Sequence, residues 1–173
     1  SSINNDIRLY KCANFPEKMS YSHNLISNKK CVEIIIFRKS NLFWLLTSVS
    51  KSNDFSSQAE LFYSDNPLSS EWKPHTQNPV FFNVAEGRNA GLILDNDKIY
   101  RPTQTIGYNK YKDNQYGRKI NIYLIDDISE NNFKQVFISE INPNFKKNLL
   151  GTHHISGLSN FSVFDYHFYD KFK

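Results

Sequence analysis

Apolar residues along this chain come in strand-length runs separated by polar turn residues, and the runs pair into hairpins. Val32 to Phe37 is one such run, Lys39-Ser40-Asn41 supplies turn residues, and Leu42 to Thr47 reads as the return strand. The arrangement recurs at Gly91 to Leu94, a turn at Asp95-Asn96-Asp97, and Lys98 to Pro102. Phe161 to Tyr166 reads as the return strand of a third hairpin after a turn within Gly157 to Asn160. Candidate outer strands follow the first hairpin at Glu60 to Ser64 and, past a Pro-bearing loop, at Val80 to Val84. They follow the second at Lys119 to Ile125 and Lys134 to Glu140, and a further one is expected near Arg8 to Lys11. No stretch combines a capping residue with a sustained helical period; Asp126 to Asn132 is at most one turn.

A hairpin with two outer strands is a four-stranded unit, and the steps from Trp44 to Tyr100 and on to Phe161 match the spacing of repeating β-sheet blades. The expected fold is therefore all-β and β-propeller-like, one domain over residues 1–173 with about three four-stranded blades. A β-sandwich uses a similar number of strands, but the recurrence of hairpin plus outer pair favours the propeller. Closed propellers normally carry four to eight blades, so a partial or truncated five-bladed form is expected, with N-terminal blades missing.

Composition agrees with strands. Aromatic residues make up 15% of the 173 positions, and Asn and Ser fill the gaps between apolar runs, where their side chains bond nearby backbone and favour turns. The formal net charge of +4 comes from basic residues scattered through the turns, with only pairs such as Lys29-Lys30 and Lys146-Lys147. A nucleic-acid groove needs a basic stripe with stacking aromatics, so no nucleic-acid partner is expected. Cys12 and Cys31, the only cysteines, exclude a disulfide-rich scaffold and a cysteine-only zinc site while leaving one disulfide open. No apolar run approaches the roughly twenty residues of a helical membrane span, and the chain reads as soluble. It starts Ser1-Ser2 without Met, which reads as a processed start or a boundary, and no compartment is legible.

Seven motifs stand in a characteristic order: Phe15-Pro16, Trp44-Leu45-Leu46, the run Leu61 to Leu68 with Trp72, Arg88 to Gly91, Tyr100 to Gln104, Tyr116-Gly117, and Gly151-Thr152-His153 before Val163 to Asp165. Together they resemble the five-bladed propeller domain at the N-terminus of plant glucosamine inositolphosphorylceramide transferases and beside formyltransferase-like domains in microbial sugar-modifying proteins. The likeness extends distantly to furanosidase-type glycoside hydrolases. It implies a module that binds or positions a glycan or sugar-phosphate for an attached or partner transferase domain. Alternatives are a glycoside hydrolase fragment and a non-catalytic interaction module.

Arg88, Arg101, Gln104 and His153 fall at or near the ends of expected inner strands, which line a propeller's central channel, and are the candidate substrate contacts. Arg grips phosphate or carboxylate through two parallel bonds, and Gln and His read hydroxyls. The competing reading is that Arg101 and Gln104 satisfy buried carbonyls and tie blades together. Trp72 is a further candidate for stacking on a sugar ring, whereas Trp44, in an apolar strand, is expected in the core. Among the acids only Glu86, before Gly87-Arg88, is placed like a catalytic acid, and no second carboxylate completes the pair that glycoside hydrolysis needs. His153 and His154 are adjacent and on a strand would face opposite ways, so no metal site is expected, and no cofactor either.

Overall fold

The computed structural model describes residues 4–50, 54–108 and 114–168, and among them every regular element is a strand. The first pair, β1 (Asp6–Asn14) and β2 (Lys18–Ser27), forms an antiparallel two-stranded sheet. A second sheet runs β3 (Cys31–Lys39), β4 (Leu42–Val49), β5 (Gln58–Ser64), β6 (Lys73–Pro74), with the short β7 (Phe81–Phe82) also on β5. The third sheet has six strands in the order β11-β10-β9-β8-β12-β13. Their ranges are β8 (Ile93–Asp95), β9 (Lys98–Tyr108), β10 (Asn114–Ile128), β11 (Phe133–Ile141), β12 (Leu149–Leu158) and β13 (Phe161–Phe168).

The three expected hairpins all form, and their turns have a common physical basis. Ser40 (φ 54°), Asn41 (φ 64°), Asn96 (φ 52°) and Ser159 (φ 49°) take the left-handed conformation that lets a tight turn follow the twist of its strands. Strands β8 to β11 complete an antiparallel four-stranded meander. In the earlier sheet the expected outer strand over Val80 to Val84 shrinks to β7, for a specific reason. The Asn78 side chain accepts from the Leu61 amide and donates to the Leu61 carbonyl, both at 2.8 Å. It thereby occupies the edge of β5 that a continuous strand would have used, leaving β6 and β7 as two-residue pieces on either side.

The third hairpin does not stand alone. Its β12 runs parallel to β8, with Gly157 beside Ile93 and Leu158 beside Leu94, so it extends the third sheet. Among the described residues the third unit is the β12–β13 hairpin, without an outer pair.

Two apolar clusters stack these units face to face, and a third ties strands within the last sheet. Ile7 and Leu25 of the first pair meet Leu45, Val49, Phe62 and Trp72 of the second sheet. On that sheet's other side Phe37, Trp44, Leu46 and Leu61 meet Ile99, Ile125 and Ile128. Ile120, Ala90 and Ile155 then join β10 to β12. Strand β4 is covered on both faces, which is why Phe43 to Leu46 is an unbroken apolar run instead of an alternating one. Leu46, fully buried between two sheets, makes a direct probe of this stacking. Leu46→Ala should lower unfolding free energy by about 2–5 kcal/mol, the range for emptying such a site, as read by urea denaturation.

Cys12 is exposed and Cys31 buried, and both are free thiols. Burial pushes the Cys31 thiol up, with a Thr47 hydrogen bond partly opposing it.

Candidate functional site

The second and third sheets are joined by polar groups centred on Asn89, a residue with no exposed surface. Asn89 sits in the segment leading into β8. Its amide nitrogen donates to the carbonyls of Glu33 (2.7 Å) and Leu46 (3.0 Å), and its backbone N–H donates to the Ser48 hydroxyl at 3.1 Å. Its side-chain oxygen accepts from Arg101 Nε at 2.8 Å, and its carbonyl accepts from Gln104 Nε2 at 3.0 Å. One side chain thus bonds to two strands of the second sheet and one strand of the third, with both amide donors and the amide oxygen used.

Arg101 is the charged member. It is fully buried, bonds the Glu86 carbonyl (2.5 Å) and Gln135 Oε1 (3.3 Å) besides Asn89, and lies over the Phe81 ring at 4.6 Å. Burial pushes its pKa down to about 9, with Glu86 and then Tyr123 pulling it back up, so the guanidinium stays charged at neutral pH. Glu86, expected as an acid at a channel mouth, is instead held by Asn83 Nδ2 at 2.6 Å and Gln135 Nε2 at 2.9 Å. Its carboxylate and carbonyl both serve the joint between sheets.

The expected contacts therefore separate into groups. Arg101 and Gln104, read from the sequence as substrate contacts, are closed off at 0% and 1% exposure; their side-chain nitrogens donate to protein acceptors, while Gln104 Oε1 is buried without a partner among the described residues. Trp72, read as a sugar-stacking candidate, packs with Leu45, Phe62 and Val49 in the cluster against the first pair. Arg88 and His153 retain partly exposed side chains, at 16% and 22%.

Arg88 pairs with Glu33 at 3.0 Å, which the sequence reading did not single out. Glu33 is the lone acid in the run Val32 to Phe37, a signal visible in the sequence. In the structure it occupies a bulge, with the register shifting between Val32 and Ile35, and has φ 52°, a conformation rare for a non-glycine residue. The Asn89 amide on its carbonyl and the Thr47 hydroxyl on the Val32 carbonyl (2.9 Å) hold that backbone in place. Asn89 itself lay inside the Arg88 to Gly91 motif without being named.

His153 is also displaced by a bulge. Thr152 pairs with Tyr166 and His154 with Asp165, leaving His153 as the extra residue. Asp165 receives both neighbours, through His153 Nδ1 (3.1 Å) and the His154 backbone N–H (2.6 Å). The His153 ring stacks on His167 at 6.0 Å. Among the described residues no group of three or more His, Cys, Asp or Glu is arranged to hold a metal ion.

These features define an all-β module of stacked, mainly antiparallel sheets, clamped by a buried polar centre and presenting a charged pair at its edge. The N-terminal family of glucosamine inositolphosphorylceramide transferase 1 matches residues 1–162, and the chain belongs to that family. Two relatives named glucosamine inositolphosphorylceramide transferase 1, from Oryza sativa subsp. japonica and subsp. indica, are each 29% identical over 136 residues. Those matches cover 76% of this chain but 17% of the relatives' own length. No solved structure matches the chain. Among the described residues no helix is long and apolar enough to cross a membrane.

Proposed function

We propose that this chain is a β-propeller-type module that binds or positions a glycan or sugar-phosphate for a sugar-modifying transferase, the transferase domain being attached or a partner. Membership in the transferase family supports the setting. The name of the rice relatives combines glucosamine with inositolphosphorylceramide, so the ligand class is a hydroxyl-rich ring with or without phosphate. Face-to-face stacking of successive meanders, with β8 and β12 side by side and parallel, supports the propeller reading.

The observation that carries the binding proposal is the Arg88–Glu33 pair. It joins the starts of two successive hairpin units and keeps part of each side chain in solvent, whereas the other arginine of the motif set is sealed inside. His153 is the second contact, on the bulge that opens the third hairpin.

Calorimetric titration with myo-inositol monophosphate and with glucosamine tests this. Saturable binding by the wild type, weakened about tenfold or more in Arg88→Gln when measured well below the melting temperature of both proteins, is expected when a charge-assisted contact is lost. Failure of the wild type to take up either ligand, or equal affinity in the variant, would overturn the proposal.

A further inference from the structure

We infer that the cleft between the hairpin tips is a second binding site, for a sugar monophosphate, in which Arg38 and Lys39 take the phosphate and Asp97 takes a ring hydroxyl. The site lies at the other ends of the strands from Arg88 and Glu33 and does not depend on the role proposed for them. Glu33 is near the start of β3 and Arg38 near its end; Arg88 precedes β8 and Asn96 follows it.

All three hairpins wall this cleft, whose volume is about 420 Å³, within the range of small-ligand sites. Arg38, Lys39 and Ser40 come from the first, Asn96 and Asp97 from the second, and Leu158 from the third. Their backbones are held in place. Trp44 Nε1 donates to the Lys39 carbonyl at 3.0 Å, and the Ser159 N–H donates to the Leu94 carbonyl at 2.8 Å. Ile99, which also lines the cleft, belongs to the apolar core between the second and third sheets.

The charges around the cleft are not spent on each other. Among the described residues Arg38 makes no hydrogen bond or ion pair; its guanidinium lies over the Phe43 ring at 5.6 Å, an arrangement that leaves its donors open to an anion. Lys39 Nζ donates to the Ile125 carbonyl at 2.9 Å, and an ammonium has two further donors. Asp97, on the facing hairpin, is likewise in no ion pair among the described residues. Two cations on one hairpin thus stand across from one acid on the next.

That arrangement selects the ligand. A phosphate monoester carries close to two negative charges at neutral pH, which matches Arg38 with Lys39, whereas a carboxylate carries one. A bare phosphate would leave Asp97 unanswered. A hydroxyl-bearing ring attached to the phosphate fills the remaining volume and donates to that carboxylate.

Titration calorimetry with glucose 1-phosphate, glucuronate and inorganic phosphate tests this on the wild type, Arg38→Gln, Asp97→Asn and Arg88→Gln, well below the melting temperature of each. Arg38 and Asp97 are both exposed, so these substitutions should leave the fold intact. Glucose 1-phosphate should bind at least about tenfold tighter than glucuronate and survive Arg88→Gln. It should weaken about tenfold in Arg38→Gln and about threefold in Asp97→Asn, while inorganic phosphate is not weakened by Asp97→Asn. Equal affinity in Arg38→Gln, or loss of binding in Arg88→Gln alone, would overturn the inference and leave the role of Arg88 standing. A wild type that takes up no glucose 1-phosphate would also overturn it, with the Arg88 reading still decided by myo-inositol monophosphate and glucosamine.

Discussion

Arg101→Met should destabilise the protein by about 3–5 kcal/mol, even though it removes a charge that is costly to bury. The reason lies in the acceptors left behind. Without the guanidinium, Asn89 Oδ1 loses its donor in a region closed to water, and Gln135 Oε1 and the Glu86 carbonyl lose theirs in part-buried positions; a fully buried orphaned acceptor costs about 1–3 kcal/mol. Desolvation regained by deleting the cation offsets only part of that sum. Arg101→Lys should also be destabilising, because one ammonium nitrogen cannot reach acceptors now met by three separate guanidinium nitrogens, and it has no planar face to lay on Phe81. The pH dependence has a defined sign. Since burial lowers Arg101 from its ordinary value to about 9 on folding, the unfolded chain holds the proton more firmly above about pH 9. Its contribution to stability is therefore flat below about pH 9 and rises with pH only above it. Urea unfolding of the wild type and both variants at neutral pH measures the main effect.

Gly91→Ala should produce a comparable loss, about 3–5 kcal/mol, by a different route. Gly91 has φ 113°, where L side chains are strained, and a Cβ there would stand 2.0 Å from the Ile155 carbonyl oxygen and 2.8 Å from His154 Nε2. The first obstacle is backbone, so relief requires β12 to move away from β8. That movement would break the Ile155 N–H bond to the Ala90 carbonyl, now 2.8 Å, and open the cluster of Ala90, Ile120 and Ile155. Gly107→Ala is the matched control. Its added Cβ would meet only Arg118 Cγ at 3.2 Å and Cβ at 3.5 Å, side-chain atoms that need give only a few tenths of an ångström, so a change of about 1 kcal/mol or less is expected. Thermal unfolding of the two variants side by side separates a general glycine effect from the specific closeness of β12 to Gly91.

How much of this was legible depends on which forces write themselves into a pattern. The hairpins around Ser40-Asn41 and Asn96-Asp97 were readable because turn residues stood between strand-length apolar runs. Strand β2 was not, because half of it is exposed and its pairing with β1 rests largely on backbone bonds that any sequence can make. The broken outer strand at Val80 was also hidden, since it depends on the Asn78 side chain reaching the Leu61 backbone across 17 residues. Joining of β12 to β8 depends on tertiary placement and leaves no local mark.

The candidate site divides in the same way. Arg101 and Gln104 were found as unusual polar residues in strands, but residue type cannot say whether an arginine faces a ligand or a carbonyl. Burial decides it here, and burial follows from the two apolar clusters that close over β9. Glu33 had a readable signal as the lone acid of an apolar strand; its partner and its bulge did not. Asn89 gave least, because asparagine is common in this chain's turns, and only the assembled sheets show that all its bonding capacity is used across them.

The central claim is that Asn89 and Arg101 act as one clamp between the sheets, its Asn89 amide reaching the Glu33 backbone. A double-mutant cycle with Asn89→Ala, Arg101→Met and the double variant, followed by urea unfolding, tests it most directly. The account predicts strong non-additivity, the double variant costing about 1–3 kcal/mol less than the sum of the single changes, because either one alone already opens the shared network. Additive losses, or single variants as stable as the wild type, would contradict it.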